Sequence, residues 1–489
     1  MSAGTIGGAH RVFDEAQGRG VDAITLAQAD WPSGVRPPAP IPRARPLGTV
    51  GLLRALRANP LETWTREHFE KPIVTNGLAF ARVVVVNDPS AIRQVLLENT
   101  ANYRKDTLTL RILSAGLTNG LLTAEGEQWR VQRRTLAPMF TRRTVMNFAP
   151  AMAEAAAALV ARWDQLPNGA IVDVAAEVTR VTLDVLRRTI FSDGLGSDPE
   201  EFRAVMATYF NTIGRIDPFD VLNLPDFVPR LSRVRARSTL RFFDSAVDTI
   251  IATRRRNLAT DPASVPRDIL TLLLEAQDPE TGRGMTEAEV RANIITFIAA
   301  GHETTSNSLA WSIFLLSQSP QWRARVAAEA DRELAGPIEG MAERLVETRA
   351  VIEEAIRLYP PIVAMSRAAL GPDTLAGHPV GRGTMVVIAP YVLHRHRLLW
   401  DRPDQFDPSR FLPDVRDKID RYAYLPFGAG PRICIGNGFA LQEATIVLAT
   451  IMHGFDLQLS PDHAVWPLQR VTLRPAGGLP MVVSRRHGR

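Results

Sequence analysis

The residue with the most reactive side chain in this sequence of 489 residues is its single cysteine, Cys434. It lies in the segment Phe-Gly-Ala-Gly-Pro-Arg-Ile-Cys-Ile-Gly (residues 427–436), just before a helical pattern over Phe439–Met452. A lone cysteine in such a place is more often a small buried side chain than a ligand. The glycines, the following helix N-terminus and the charge of Arg432, however, all favour a thiolate. The segment therefore predicts an anionic sulfur that is enclosed by backbone N–H groups and open on one side.

A second set of chemically active residues lies in the middle of the longest predicted helix, Glu287–Gln318. Thr286 and Glu289 form a capping box at its start, and Ser319-Pro320 marks its end. Its centre reads Ala-Ala-Gly-His-Glu-Thr-Thr (residues 299–305). Ionisable and hydroxyl side chains together with a glycine cost stability inside an otherwise apolar central helix. This segment is therefore predicted to be a functional site.

Two further pairs of residues have the spacing of one helical turn. Glu354 and Arg357 are three residues apart, and Trp129 and Arg133 are four apart, so each pair shares one face of its predicted helix. Taken alone, the first pair is an ordinary helix ion pair, and the second is typical of an amphipathic surface helix. The rest of the sequence decides whether either pair has a role at a site.

Together these motifs resemble those of the cytochrome P-450 superfamily of haem-thiolate monooxygenases. The residues within the motifs are most similar to those of the soluble bacterial fatty-acid hydroxylase haem domains. The cysteine segment matches the haem-binding signature of that superfamily at every fixed position: Phe427, Gly430, Arg432, Cys434 and Gly436. The resemblance implies a haem b cofactor (iron protoporphyrin IX) with Cys434 as the axial ligand of the iron. It also implies that Phe427 packs against the thiolate and that Arg432 pairs with a haem propionate. Thiolate ligation pushes electron density onto the iron and favours O–O cleavage.

The resemblance assigns roles outside the cysteine segment as well. Trp129 and Arg133 are expected to reach haem propionates. Arg367 falls where the family often places another propionate partner. Three residues correspond to the structural triad of the family, which supports the fold and the haem pocket: Glu354, Arg357 and Arg410.

In the long helix, the acid–alcohol pair of the family corresponds to Glu303 and Thr304, with Gly301 at the oxygen-binding groove. By this resemblance Glu303 relays protons from solvent and Thr304 donates where dioxygen is cleaved, so both are expected to be catalytic. A threonine hydroxyl can also bond back to its own helix and widen a turn, which opens a pocket for dioxygen and water. The alternative is a structural hydroxyl and a buried acid that its neighbours satisfy.

The elements that must position these residues are mainly helices. Further helical patterns cover Pro150–Trp163, Glu177–Phe191, Ser238–Asn257 and Trp322–Leu334. Strand-like runs are few and short: Arg82–Val86, Thr384–Ile388 and Leu479–Val483. The sequence predicts a mainly α fold with a small β-sheet region, and the resemblance implies the cytochrome P-450 fold, with haem between the long helix and the cysteine segment. Residues 1–30 are expected to be a flexible N-terminal extension, and residues 31–489 a single haem domain.

Composition and charge exclude several classes of protein. A hydrophobic share of 45% and a charged share of 22% fit a globular chain rather than a disordered or membrane-embedded one. A net charge of +5 is small for this length, so no nucleic-acid partner is expected. The basic runs Arg130–Arg134 and Arg254–Arg256 are typical of solvated helix faces, or of a patch for an acidic protein partner. The single cysteine excludes an intramolecular disulfide, and no apolar stretch is long enough for a membrane anchor. A cytoplasmic location is expected.

The expected reaction is hydroxylation of a hydrophobic small-molecule substrate (a fatty acid, terpenoid or similar molecule) with O2 and two electrons. No flavin or NAD domain is recognised, so the electrons are expected from a ferredoxin or flavodoxin-type donor with its reductase, docked near Arg130 and Arg134. The alternatives are an electron-independent haem-thiolate isomerase or peroxygenase, and a haem gas sensor. Five largely apolar segments are expected to line the pocket: Arg104–Leu117, Met206–Ile216, Ile294–Ala299, Ile362–Met365 and Ala476–Leu479.

Overall fold

The computed structural model describes residues 35–78, 81–105, 117, 119–192 and 231–486. The expected N-terminal extension, residues 106–116 and the pocket segment 206–216 lie outside the described residues. The helices of the described part are α1 (Thr49–Ala58), α2 (Arg66–Glu70), α3 (Pro89–Arg93), α4 (Gly126–Leu136), α5 (Arg142–Met146), α6 (Ala149–Trp163), α7 (Val174–Ile190), α8 (Leu231–Thr260), α9 (Ile269–Glu275), α10 (Glu287–Gln318), α11 (Pro320–Glu333), α12 (Met341–Arg344), α13 (Val346–Leu358), α14 (Pro390–Leu393), α15 (Pro413–Arg416) and α16 (Asn437–Gly454).

The strands of the described part are short and form four small sheets. They are β1 (Ile73–Leu78), β2 (Ala81–Val86), β3 (Tyr103–Arg104), β4 (Ala170–Asp173), β5 (Met365–Ala369), β6 (Asp373–Leu375), β7 (His378–Val380), β8 (Met385–Ile388), β9 (Phe455–Leu459), β10 (Pro467–Gln469), β11 (Leu473–Pro475) and β12 (Pro480–Arg485). The largest sheet has the order β1-β2-β8-β5-β3, in which β2 and β8 run parallel and the other neighbours run antiparallel. The others are β4-β12-β9, the hairpin β10–β11 and the hairpin β6–β7.

The predicted mainly helical architecture with a small β region is confirmed. Each predicted helix is present, and its ends differ from the prediction by at most three residues, except that α8 begins at Leu231, seven residues before the predicted start at Ser238. The sequence predicts only β2, β8 and β12 of these strands; among those it does not predict is β5, whose residues Met-Ser-Arg-Ala-Ala lack the β-branched pattern of a strand. Pairing with β8 on one side and β3 on the other makes this segment a strand, because strand formation depends on neighbours more than on intrinsic preference.

The long helix α10 begins and ends where its sequence signals place it. Glu289 accepts the backbone N–H of Thr286 at 2.9 Å, and the Thr286 hydroxyl accepts the N–H of Glu289 at 3.3 Å, so the predicted capping box is formed. At 1.5 Å per residue the helix is about 48 Å long. It packs against α7, α13 and α16 and runs through the main hydrophobic core. The residues at its centre are therefore held in a fixed, interior position.

Helix α13 owes its start to another helix. Its N-cap position is Leu345, which makes no side-chain cap. Instead the buried carboxylate of Glu329, on α11, accepts the backbone N–H groups of Glu347 and Thr348 at 2.7 and 2.8 Å and the Thr348 hydroxyl at 2.7 Å. A carboxylate at a helix N-terminus satisfies orphan donors and matches the helix dipole. Contacts with α11 thus set the position of α13, which carries Glu354.

The sequence predicts that the basic run Arg254–Arg256 is a solvated helix face, but one of its residues is buried. Arg254 is only 3% exposed, and its guanidinium donates to both carboxylate oxygens of Asp268, at 2.6 and 2.8 Å. Asp268 also caps α9 and accepts the backbone N–H of Ser192. The arginine is buried because α8, α9 and the end of α7 meet around this ion pair.

One helical stretch in the described part of the chain, Arg142–Trp163, is long and apolar enough to cross a membrane by length and composition. It consists of α5 and α6, which are separated by Asn147 and Phe148. Helix α6 packs against α16, and one side of it lies in the main hydrophobic core.

Candidate active site

The loop that carries Cys434 lies between a 3-10 turn (Gly430–Arg432) and α16. The backbone N–H of Cys434 donates to the carbonyl oxygen of Phe427 at 2.9 Å, which closes the loop. Gly430 has a φ of 70°, and a Cβ built on it would lie 1.8 Å from the carbonyl oxygen of Leu96. The sequence predicts that these glycines allow the backbone to approach the sulfur closely. At Gly430 the stronger reason is the contact between this loop and the π turn at Gln94–Glu98.

The sulfur of Cys434 lies between opposing influences. Its side chain has exposed surface, yet it is surrounded by enough protein that burial raises the pKa of the thiol. The backbone N–H of Gly436 and the positive charge of Arg133 lower that pKa. Burial lowers the pKa of Arg133, and the charge of Cys434 raises it. The thiolate therefore has one backbone donor and one nearby cation, and an added cation at the sulfur would stabilise it further.

Three cations converge beside this loop, and we call Lys105, Arg367 and Arg432 the cation cluster. The carboxylate of Glu125 contacts Arg432 at 2.8 Å. Burial, with the charges of Arg432 and Arg367, lowers the pKa of Lys105 to about 8, whereas Glu125 raises it. Burial likewise lowers the pKa of Arg432, with a further contribution from Arg367. Lys105 and Arg432 are both partly desolvated, interact with the same carboxylate and lie near the charge of Arg367, which fits a ligand that brings additional negative charge.

Lys105 is a site residue that the sequence did not indicate. It follows β3, and its ammonium donates to the carbonyl oxygen of Leu122. No motif marks this lysine, because its neighbours in the cluster are more than 250 residues away in the sequence. A lysine is rarely buried without a charge or carbonyl partner, but burial is visible only in the folded chain.

Trp129 and Arg133, the two residues of α4 that the sequence indicates, interact with different parts of this region. The guanidinium of Arg432 lies 4.2 Å above the ring of Trp129, and its Nη1 donates to the carbonyl oxygen of Ala124 at 3.0 Å. Arg133, one turn further along, interacts electrostatically with Cys434. The structure thus brings Trp129 to the cation cluster and Arg133 to the cysteine loop, which is a division of roles that spacing alone does not give.

At the centre of α10 the predicted acid and alcohol have different partners. The hydroxyl of Thr304 donates to the carbonyl oxygen of Ala300 at 2.8 Å, and α10 continues as an α-helix through this turn. The expected back-bond is therefore present, without a change of helix type. Glu303 accepts a hydrogen bond from the Thr472 hydroxyl at 2.8 Å, and burial raises the pKa of its carboxyl.

Gly301 has a packing role that the sequence did not indicate. A Cβ built on it would lie 3.2 Å from a methyl group of Leu186, on α7. This spacing is tighter than ordinary van der Waals contact, so the glycine lets α7 approach α10 closely. The expected role of Gly301 at an oxygen groove stays a prediction.

The structure brings Glu354, Arg357 and Arg410 together in the interior. Glu354 and Arg357 have no exposed side-chain surface, and Nε and Nη2 of Arg357 donate to the two carboxylate oxygens at 2.6 and 2.8 Å. Arg410 is at a longer distance, with its Nε 3.8 Å from Glu354 Oε1. The remaining donor positions of Arg357 bond carbonyl oxygens of His394, Pro403 and Gln405. This pair therefore ties α13 to the chain around residues 394–405.

The two arginines expected to dock a partner are not equivalent. Arg134 makes a two-pronged ion pair with the buried carboxylate of Asp278, at 2.9 and 3.0 Å, and also contacts Glu280. The positive charge of Arg134 is thereby paired with carboxylates of the protein itself. The Arg130 side chain is 66% exposed and pairs with Glu127 across one exposed helical turn at 3.3 Å. Arg130 thus remains the candidate for a docking charge, and Arg134 does not.

The chain is similar to known proteins over most of its length. The sequence model of the family described as Cytochrome P450 matches residues 38–479. The chain is 33% identical to cyclooctat-9-en-7-ol 5-monooxygenase of Streptomyces melanosporofaciens, over 93% of this chain and 96% of that protein. It is 30% identical to bifunctional cytochrome P450/NADPH–P450 reductase 1 of Bacillus subtilis, over 92% of this chain and 42% of that protein.

A solved structure has the same fold. The crystal structure of the cytochrome P450DA heme domain superimposes with a TM-score of 0.79 and 27% sequence identity, and the match covers 92% of this chain and 98% of that one. The family model, which matches residues 38–479, covers both the loop of Cys434 and the long helix α10.

Proposed function

The chain belongs to the cytochrome P450 family, and on that premise we propose that it hydroxylates a hydrophobic terpenoid or fatty acid. The protein is a haem b monooxygenase of this family, which acts on a hydrophobic substrate with O2 and electrons from a redox partner. Two statements remain predictions: residues 31–489 form one haem domain, and the protein is cytoplasmic.

The residues around Cys434 fit the cofactor. Bound haem supplies the ability to activate O2, and thiolate ligation favours O–O cleavage. Cys434 is the proposed ligand of its iron, with the Gly436 N–H and Arg133 favouring the thiolate. The cation cluster, with Trp129 beneath Arg432, is proposed to hold the two propionates, whose negative charge would offset the mutual repulsion of these cations.

Proton delivery is the proposed task of Glu303 and Thr304. The observation that carries this proposal is a half-buried carboxyl with a raised pKa next to a hydroxyl, in the middle of a rigid interior helix. A raised pKa lets the carboxyl take up and release a proton closer to neutral pH than an ordinary glutamate. The Thr304 hydroxyl, held by Ala300, can donate its proton elsewhere by a rotation about one bond.

Thr304→Ala is expected to separate electron consumption from product formation. General acid catalysis contributes about 10²–10⁴-fold, so product per electron pair should fall by at least about tenfold while electron consumption continues. Ser308→Ala is the matched control, because Ser308 makes the same kind of back-bond on the same helix. The measurement compares reduced cofactor consumed, peroxide released and product formed. Unchanged coupling in Thr304→Ala contradicts the proposed role, and product formed from peroxide alone at the same rate favours a peroxygenase.

The proposed substrate class rests on the relatives and on the apolar segments near the centre of the fold. The Streptomyces relative carries an unsaturated alcohol, cyclooctat-9-en-7-ol, in its name. In the segment Ile294–Ala299 the isoleucines are buried, and Phe297 packs edge-to-face on Phe140. Such surroundings favour a ligand that is largely hydrocarbon. A screen for terpenoids and fatty acids that shift the spin state of the haem would identify the substrate, and binding of polar compounds alone would contradict this class.

We propose a ferredoxin or flavodoxin-type electron donor that docks near Arg130. Arg130→Glu is expected to slow reduction several-fold at low salt and to weaken its salt dependence, because exposed charges act mainly on encounter and are screened by salt. Arg57→Glu makes the same charge change on α1 and is the control. Stopped-flow reduction at several ionic strengths measures the effect. Equal rates for Arg130→Glu and the unmodified protein at all salt concentrations would place the donor elsewhere.

A further inference from the structure

Helix α10 presents a row of hydrogen-bonding side chains to the hairpin β10–β11. Glu303, Asn307 and Trp311 are spaced by four residues and therefore share one face of the helix. Each is linked to the end of the hairpin. Glu303 and Asn307 bond the hydroxyl of Thr472, at 2.8 and 2.9 Å, and Trp311 Nε1 donates to the carbonyl oxygen of Leu473 at 3.1 Å. The hairpin is thus attached to α10 at three successive turns, the first of which carries the proposed catalytic acid.

The hydroxyl of Thr472 has only one orientation that satisfies both of its partners. The amide Nδ2 of Asn307 donates to the hydroxyl oxygen, so that oxygen is an acceptor in this bond. A hydroxyl has a single proton to donate, and the Oε1 atom of Glu303 is the acceptor in line for it. Thr472 and Asn307 are both buried, so water does not compete freely for these bonds. Asn307 therefore directs the Thr472 proton toward Glu303.

The charges around Glu303 act in the same direction as this hydrogen bond. Burial raises the pKa of the Glu303 carboxyl, whereas the Thr472 bond and the charge of Arg474, on β11, lower it. His302, the preceding residue, forms a hydrogen bond with the carbonyl oxygen of Ile298, and burial lowers its pKa to about 4, so it is neutral at pH 7. In the described part of the chain, the hairpin thus supplies both groups that favour the carboxylate over the acid.

We propose that Thr472, oriented by Asn307, is a positioning residue that holds the Glu303 side chain in place and favours its ionised form. The inference rests on the proposed role of Glu303 in proton delivery, and it identifies a residue that influences the protonation state of the Glu303 carboxyl. A hydrogen bond donated to the carboxylate favours its ionised form, and loss of that bond leaves the charge of Arg474 as the remaining group that offsets burial. The hairpin, more than 160 residues away in the sequence, thereby sets the protonation state of an acid on α10.

Thr472→Val tests this inference, because valine has nearly the shape of threonine without the hydroxyl. Infrared spectra of the ferric holoprotein across a pH range follow the protonated carboxyl band, and Glu303→Gln identifies which band belongs to Glu303. In Thr472→Val the midpoint of that band is expected to shift to higher pH, since a donor to the charged form is lost. Thr472→Ser, which keeps a hydroxyl, should return the midpoint toward the original value. Thr189→Val, which removes a buried hydroxyl from α7, should leave it unchanged.

Two outcomes would overturn the inference. One is an unchanged Glu303 midpoint in Thr472→Val, and the other is an equal shift in Thr472→Ser and Thr472→Val, which would assign the effect to packing. Both are independent of whether Glu303 is catalytic. If Glu303→Gln converts electrons to product as well as the unmodified protein, the proposed role of Glu303 fails, whatever the midpoints show.

Discussion

Glu354→Ala is expected to lower the free energy of unfolding by about 3–5 kcal/mol, as is typical when one partner of a buried ion pair is removed. Neither side chain has exposed surface, so Arg357 would then carry its charge in the interior without a carboxylate partner. The Oε1 atom of Glu354 also accepts the backbone N–H of Asp407 at 2.8 Å, and that donor would lose its partner too. Since domains have only about 5–15 kcal/mol of stability, this loss removes a large share of it, and the yield of folded holoprotein should fall.

Glu127→Ala is the matched control for this prediction. Glu127 and Arg130 have the same spacing of three residues on a helix, but their side chains are 67% and 66% exposed. An exposed pair of this kind contributes about 0–1 kcal/mol, so its loss should hardly change stability. Denaturant unfolding of both variants, with haem content after purification, gives the comparison. Similar small losses in the two variants would contradict the structural role assigned to Glu354.

Local signals in the sequence were sufficient for the elements that carry the site. The start of α10 followed from its capping box, and the short strand β8 followed from its β-branched residues. The spacing of Glu354 and Arg357 indicated that they share a helix face, and the structure adds that this face is buried. Patterns of this kind are set by neighbours within a few residues, so a single sequence contains them.

Contacts between distant segments were beyond what the sequence could predict. Lys105 reaches the cation cluster, Glu329 caps a helix that begins 17 residues later, and Thr472 bonds Glu303 from a hairpin. None of these residues lies in a motif. Their roles depend on which elements pack together, and pairing across hundreds of residues is decided by the whole fold.

Three residues that the sequence marks have packing or ion-pair partners that it does not indicate. Gly430 is required mainly because its loop lies against the backbone at Leu96, and Gly301 because α7 packs closely on α10. The sequence predicts Arg134 as a docking charge, whereas the structure pairs it with Asp278 and Glu280. In each case the residue type was informative, whereas its partner was known only from the structure.

Cys434→Ser is expected to abolish monooxygenation completely. Serine has nearly the same size, but its hydroxyl is far less acidic than a thiol and is a poor ligand for haem iron in comparison with a thiolate. The cation cluster does not include Cys434, so the variant should still bind haem through the propionates. Ile433→Val changes the adjacent residue by one methylene, leaves the sulfur in place and is the control.

The central claim is that the sulfur of Cys434 ligates the haem iron. The most direct test is the absorption spectrum of the reduced protein with carbon monoxide, recorded for the unmodified protein, Ile433→Val and Cys434→Ser. The unmodified protein and Ile433→Val should show the red-shifted band that thiolate ligation produces, and Cys434→Ser should lose it while retaining haem. The same red-shifted band in Cys434→Ser, or its absence from the unmodified protein with haem bound, would contradict the claim.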